Sequence, residues 1–113
     1  MIFNDISFHD SQILQVVENP KENFLDFLLD FPINWKENIF ENKTLRFSDV
    51  IFYNVDEIPF VGLPTIMEII DLGDVKKVFG TGRNQIEVLR RKIEIQTNAG
   101  NRTIEFSNCY FID

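Results

Sequence analysis

His9, Asp10 and Ser11 stand side by side, and together they supply the three residue types of a hydrolytic triad. A triad moves a proton from a Ser hydroxyl to a His that an acid orients. It therefore needs three side chains converging from separated segments beside an oxyanion hole. Consecutive residues cannot meet that geometry, and no Gly-x-Ser-x-Gly turn is present to project a Ser. The expected roles are local: Asp10 or Ser11 bonding backbone in an Asx or Ser/Thr turn, and His9 bonding a carbonyl or a carboxylate. His9 is also the single His, so a multi-His metal site is excluded.

The other reactive types give no stronger signal. Asp26 and Asp30 fall on one face of an alternating stretch, about 13 Å apart by strand rise, too far for paired acid and base work. Asp56, Asp71 and Asp74 lie near predicted loops without the spacing of an EF-hand. Gly80-Thr81-Gly82-Arg83-Asn84 lacks the Lys-Ser/Thr of a P-loop and the third Gly of a dinucleotide fingerprint, so it reads as a turn. Cys109 is the only Cys, which rules out an internal disulfide and suits a reducing, cytoplasmic setting. It reads as a small buried hydrophobe with no base beside it. No catalytic residue, metal or cofactor is expected.

A chain of 113 residues with 44% apolar content and 12 Phe is long and apolar enough for one packed domain, residues 1–113. Its net charge of −7 disfavours nucleic acid and anionic membrane as partners, with no Lys/Arg stripe expected to compensate, and it attracts basic proteins. The first ten residues lack the basic start and apolar run of a signal peptide. No apolar run approaches the roughly 18 residues of a spanning helix.

The elements that must position these residues are set by period-two patterning. Residues 11–18 form a strand, and 19–23, with Pro20, a turn. Leu25, Phe27, Leu29 and Phe31 share one face of a second strand, with Asp26 and Asp30 on the other. Residues 32–42, carrying Trp35, Ile39 and Phe40, read as a connection that covers one end of the core. Residues 43–55 are a third strand region in which Asp49 breaks the phase, by a bulge at Ser48-Asp49 or by cover on both faces. Residues 56–64 are a loop. Residues 63–72 suit either a helical stripe or a strand, and the three Ile favour the strand. Residues 75–79 form a short run between Gly73 and Gly80. A closing hairpin over 90–112 turns at Asn98-Ala99-Gly100-Asn101, with Ile93 and Ile95 on one arm and Ile104, Phe106, Tyr110 and Ile112 on the other. The fold expected is all-β, an antiparallel sandwich or strongly curled sheet of six to seven short strands with at most one short helix. An α+β form with a helix at 63–72 is the alternative.

Phe8-His9-Asp10-Ser11-Gln12-Ile13, the strand Leu25-Asp26-Phe27-Leu28-Leu29-Asp30-Phe31, the run Leu45-Arg46-Phe47-Ser48-Asp49-Val50 and the closing Ile93-Glu94-Ile95 and Ile104-Glu105-Phe106-Ser107-Asn108-Cys109 together resemble the small bacterial immunity proteins of immunity protein family fifty. The resemblance covers most of the chain and also extends to related proteins that begin with Phe-His-Asp. It implies a cytoplasmic inhibitor that neutralises a cognate toxin by binding it, with no catalytic residue and no cofactor. On that reading Asp26, Asp30, Glu94 and Glu105 are candidates for an outward acidic face that meets a basic toxin domain. Two other readings stay open. One is a β-sandwich that binds a small ligand between the 60–64 and 80–84 loops. The other is a hydrolase using His9. Open sheet edges also permit a homodimer.

Overall fold

Leu25, Phe27, Leu29 and Phe31 are all buried while the residues between them are not, so one strand presents a continuous apolar face to the interior. Buried Leu45 and Phe47 extend that face on the next strand, and Ile93, Ile95, Ile104 and Phe106 supply the facing one. Two half-buried faces of this kind must close on each other, and they do so as a two-layer antiparallel sandwich. In a computed structural model the protein is described over residues 2–59 and 62–112. A short helix, Ile2–Asp5 (α1), precedes strands Gln12–Asn19 (β1), Phe24–Asn34 (β2), Ile39–Ser48 (β3), Phe52–Glu57 (β4), Ile66–Phe79 (β5), Ile86–Thr97 (β6), Gly100–Phe106 (β7) and Asn108–Ile112 (β8). One sheet has the order β1-β2-β3-β8 and the other β4-β7-β6-β5.

All-β architecture holds, and residues 66–72 are strand, not helix. The structure corrects four finer expectations. Among the described residues there are eight strands, because two stretches read as single strands each divide between the sheets. Residues 43–55 divide at Asp49, which takes a φ of 53°, so that β3 ends in one sheet and β4 begins in the other. The closing arm divides at Ser107 into β7 and β8. The phase break at Asp49 is thus a change of sheet rather than a bulge. Residues 32–42 do not cover the core, since β2 continues through Pro32 to Asn34 and turns directly into β3. Residues 66–79 make one strand of 14 residues, with irregularities between Ile66 and Glu68 and between Asp71 and Gly73.

The two sheet changes lie side by side. Ser107 N donates to Ser48 O at 2.9 Å, and Ile51 N donates to Glu105 O at 3.0 Å. On the other side the edges are also tied: Ile66 N donates to Ser11 O at 2.7 Å and Ile13 N to Pro64 O at 2.8 Å. Between these seams the aromatic rings fill the interior. Phe47 meets Phe106 edge-on at 5.0 Å between centroids and Phe27 at 5.4 Å, and Phe3 from the N-terminal segment stacks on Phe47. Each fully buried ring contributes about 1.5–3 kcal/mol of transfer free energy, with a further increment for edge-to-face geometry.

Two hairpins outrun the sandwich and give it extents of 58 × 29 × 26 Å. β6 pairs with β7 only from Arg91 to Thr97, so residues 75–90 form a two-stranded ribbon with no third strand. β2 and β3 likewise run beyond the end of β1, which stops at Gln12 opposite Asp30.

Gly100 and Gly73 both have positive φ but differ in surroundings. A Cβ at Gly100 would meet Asp56 O, whereas a Cβ at Gly73 would meet open space. Gly100→Ala should therefore cost about 2–4 kcal/mol and Gly73→Ala only about 1–2 kcal/mol, read as the difference between their urea-unfolding midpoints.

Candidate functional site

The N-terminal segment leads into β1 through a turn in which Asp10 takes a φ of 70°. His9 N is held 3.4 Å from Ser7 Oγ, and His9 Nδ1 lies 3.2 Å from Asp10 Oδ1. The imidazole stacks on Trp35, with ring centroids 5.7 Å apart and 20° between planes. Both His9 and Asp10 are half exposed. Ser11 points the other way: it is completely buried, its carbonyl accepts from Ile66, and its hydroxyl has no protein partner. Ser11 therefore diverges from the His9–Asp10 pair, and it makes no Ser/Thr turn through its hydroxyl. It is Ser7 whose side chain accepts the local backbone bond.

The four carboxylates expected to form one acidic face do not share a face. Asp26 and Asp30 lie on the outside of one sheet, and Glu94 and Glu105 on the outside of the other. Asp26 is clamped in a fork by Arg46, at 2.8 Å from Nε and 2.9 Å from Nη2, and the same guanidinium lies 4.2 Å from the centroid of Phe24. That hydrogen bond raises the Arg46 pKa against the pull of desolvation. Glu94 accepts from Gln96 at 3.2 Å. Glu105 is not outward in any useful sense, being 2% exposed beneath Lys77 and Lys92. Lys77 Nζ approaches Glu105 Oε1 to 2.9 Å, close enough for an ion pair but without the alignment of a hydrogen bond. The neighbouring Phe52 explains the burial, since it sits opposite Glu105 on β4 and takes Lys77 over its ring at 4.7 Å.

A second buried charge cluster was not legible in the sequence. Arg102 sits within the core-side run of β7 and reaches Glu57 through Nε at 2.7 Å and Nη2 at 2.8 Å. Its Nη1 donates to Tyr53 Oη at 2.9 Å, and Thr97 Oγ1 donates to Glu57 at 3.1 Å. Burial works against the guanidinium charge, but the bonds to Glu57 and the nearby Tyr53 outweigh it and raise the Arg102 pKa. Burial likewise raises Tyr53, although Arg102 opposes it. These bonds run from β7 to Glu57 and Tyr53 of β4, so the cluster is a structural clasp between the two strands.

The basic residues are unevenly placed along the fold. Lys76, Lys77, Arg83, Arg90, Arg91 and Lys92, more than half of the basic residues, collect on β5, β6 and their connection. Most are answered locally. Lys76 meets Glu87 at 3.2 Å, Lys77 and Lys92 share Glu105, and Arg91 binds both Asp71 and Asp74. The Arg91 hydrogen bond holds the Asp71 carboxyl below the usual range, helped by the backbone of Gly73.

Neither of two open grooves is lined by residues 62–64 or 80–84, and residues 60 and 61 lie outside the described residues. One groove, of about 350 Å³, runs between residues 3–9 and residues 67–69. The other, of about 400 Å³, lies at the base of the ribbon beside Arg91 and Phe106. No group of three or more His, Cys, Asp or Glu suited to a metal occurs among the described residues. Trp35, Ile39 and Phe40, expected to cover one end of the core, stand exposed on the β2–β3 hairpin, and Phe79 stands exposed on the β5–β6 ribbon. Around the β2–β3 turn the exposed apolar side chains are Ile33, Trp35, Ile39 and Phe40, and Glu37 and Glu41 are exposed in the same stretch. Trp35 is 53% exposed. Comparison with protein-family models, with curated proteins and with solved structures found no match.

Two measurements check these assignments. Arg102→Met should cost about 3–5 kcal/mol because it strands a buried Glu57, and Arg102→Met combined with Glu57→Gln should cost less than the two single changes added together. Burial pushes the Cys109 thiol far above its usual range, so it should react with a thiol reagent at mildly alkaline pH only after denaturant is added.

Proposed function

We propose that this chain is a non-catalytic protein-binding module that works as an immunity protein, holding a cognate toxin through the β2–β3 turn. The observation that carries the reading is the number of large apolar side chains, Ile33, Trp35, Ile39 and Phe40, left exposed about the β2–β3 turn. Exposed aromatic and branched side chains at this density cost solubility unless something covers them. Aromatic anchors are characteristic of a binding hot spot. The net charge of −7 favours a basic partner and speeds encounter with it. The resemblance to immunity protein family fifty supports the same class of partner, and it names the toxin as the ligand.

The rigid stack of His9 on Trp35 fits this role better than a chemical one. It fixes the indole at low entropic cost before a partner arrives. His9 then acts by positioning an anchor, and the nearby Ser11 is buried and turned away from it.

Co-expression with the toxin encoded by the neighbouring gene is the direct test. The wild-type chain should protect cells and form a stoichiometric complex. Trp35→Ala and Phe40→Ala should each weaken that complex by about 10- to 100-fold, the span of a hot-spot truncation, while leaving the melting temperature nearly unchanged. A neighbour that is not a toxin, or protection that survives both substitutions, would refute the reading.

A further inference from the structure

We propose that the groove of about 400 Å³ at the base of the ribbon is a binding site for a carboxylate carried on a small apolar body, held by Arg90. The proposal is independent of the toxin reading, since the groove shares no residue with the β2–β3 turn. Arg90 stands apart from the other cations of β5 and β6. Lys76, Lys77, Arg91 and Lys92 each meet a carboxylate, whereas Arg90 meets none among the described residues. Arg83 also lacks one, but it is exposed in the β5–β6 connection, where water solvates it. Arg90 is half-buried, and main-chain carbonyls hold it: Nε donates to Asp49 O and Nη1 to Leu89 O, both at 2.8 Å. Those bonds fix the guanidinium without cancelling its charge. They leave the N–H groups of Nη2 with no protein acceptor among the described residues.

The rest of the groove suits the same chemistry. Exposed Ser107 and Asn108 bring a hydroxyl and a carboxamide to it, and Leu89 and Phe106 bring apolar surface. A guanidinium edge matches the two oxygens of a carboxylate, and such charge-assisted bonds are the stronger kind. Asp74 also lines the groove, and it decides between anions. Its carboxylate is bound to Arg91 Nη1 at 3.3 Å yet stays 77% exposed. The charge it adds opposes a dianionic phosphate about twice as strongly as a monoanionic carboxylate. Leu89, 67% exposed, gives the ligand's apolar body a surface to cover. The groove also adjoins both points where strands change sheet, through Asp49, which Arg90 holds, and through Ser107. A ligand that bridges Arg90 and Asn108 therefore ties β6 to that seam, and its binding should raise the melting temperature.

Hexanoate titrated into the nitrogen-labelled protein should move the Arg90 Nε–H signal in NMR spectra, with a dissociation constant of about 1 mM. Acetate should bind more weakly for want of an apolar body, and inorganic phosphate and hexanol more weakly still. Arg90→Met should weaken hexanoate about tenfold or more, the worth of a charge-assisted bond. Asn108→Asp, an exposed change that keeps the fold, sets a like charge in the groove and should weaken it about tenfold too. Hexanoate should raise the melting temperature of the wild-type chain and leave that of Asn108→Asp in place. An Arg90 signal unmoved by excess hexanoate, phosphate or hexanol that binds as tightly as hexanoate, or an affinity indifferent to Asn108→Asp would overturn the proposal.

Discussion

The structure depends on a paired change of sheet. At Asp49 and at Ser107 two neighbouring strands leave one layer and enter the other together, and the bonds from Ser107 to Ser48 and from Ile51 to Glu105 keep them in register through the bend. Because both strands turn at the same level, neither loses its ladder partner in the crossing, and few backbone groups are stranded. The bend also brings Phe47 at the end of β3 over Phe106 at the end of β7. The ring packing that drives folding and the backbone seam that shapes the fold are thus the same place. At the opposite seam Asp10, Ser11 and Ile13 pair with residues 64–66 through backbone bonds, and Ser11 is fully buried there.

Period-two patterning made the strands legible where one face is dry. Leu25 through Phe31, and Ile93 with Ile95, could be assigned from spacing alone because a one-residue slip would expose the whole set. The same rule misled where a strand changes layers. Tyr110 and Ile112 keep the phase of Ile104 and Phe106 on paper, yet one extra residue at Ser107 and a sharp bend put them in a different sheet. Local sequence carries no mark of that bend except Asp49, whose short polar side chain tolerates a positive φ. Residues 32–42 were misread for a related reason: Pro32 suggests a break, but Pro at the far end of a hairpin costs little when the ladder beyond it is short.

Net charge was the poorest guide to the surface. A value of −7 describes the chain as a whole and hides a basic ribbon on an acidic body. The pairings that neutralise that ribbon are cross-strand and long-range, as with Lys77 and Lys92 over Glu105, so they depend on register and not on spacing. Arg102 and Glu57 show the same limit in the interior. An Arg within an alternating run would be assigned to solvent by composition, yet the partner that permits its burial comes from 45 positions away.

The chain has one Trp, and that residue rests against its one His. Indole emission responds to solvent access and to a ring stacked on it. The native fluorescence of Trp35 therefore registers whether the N-terminal segment is docked, with no label attached, and the chain carries its own optical probe of the β2–β3 turn.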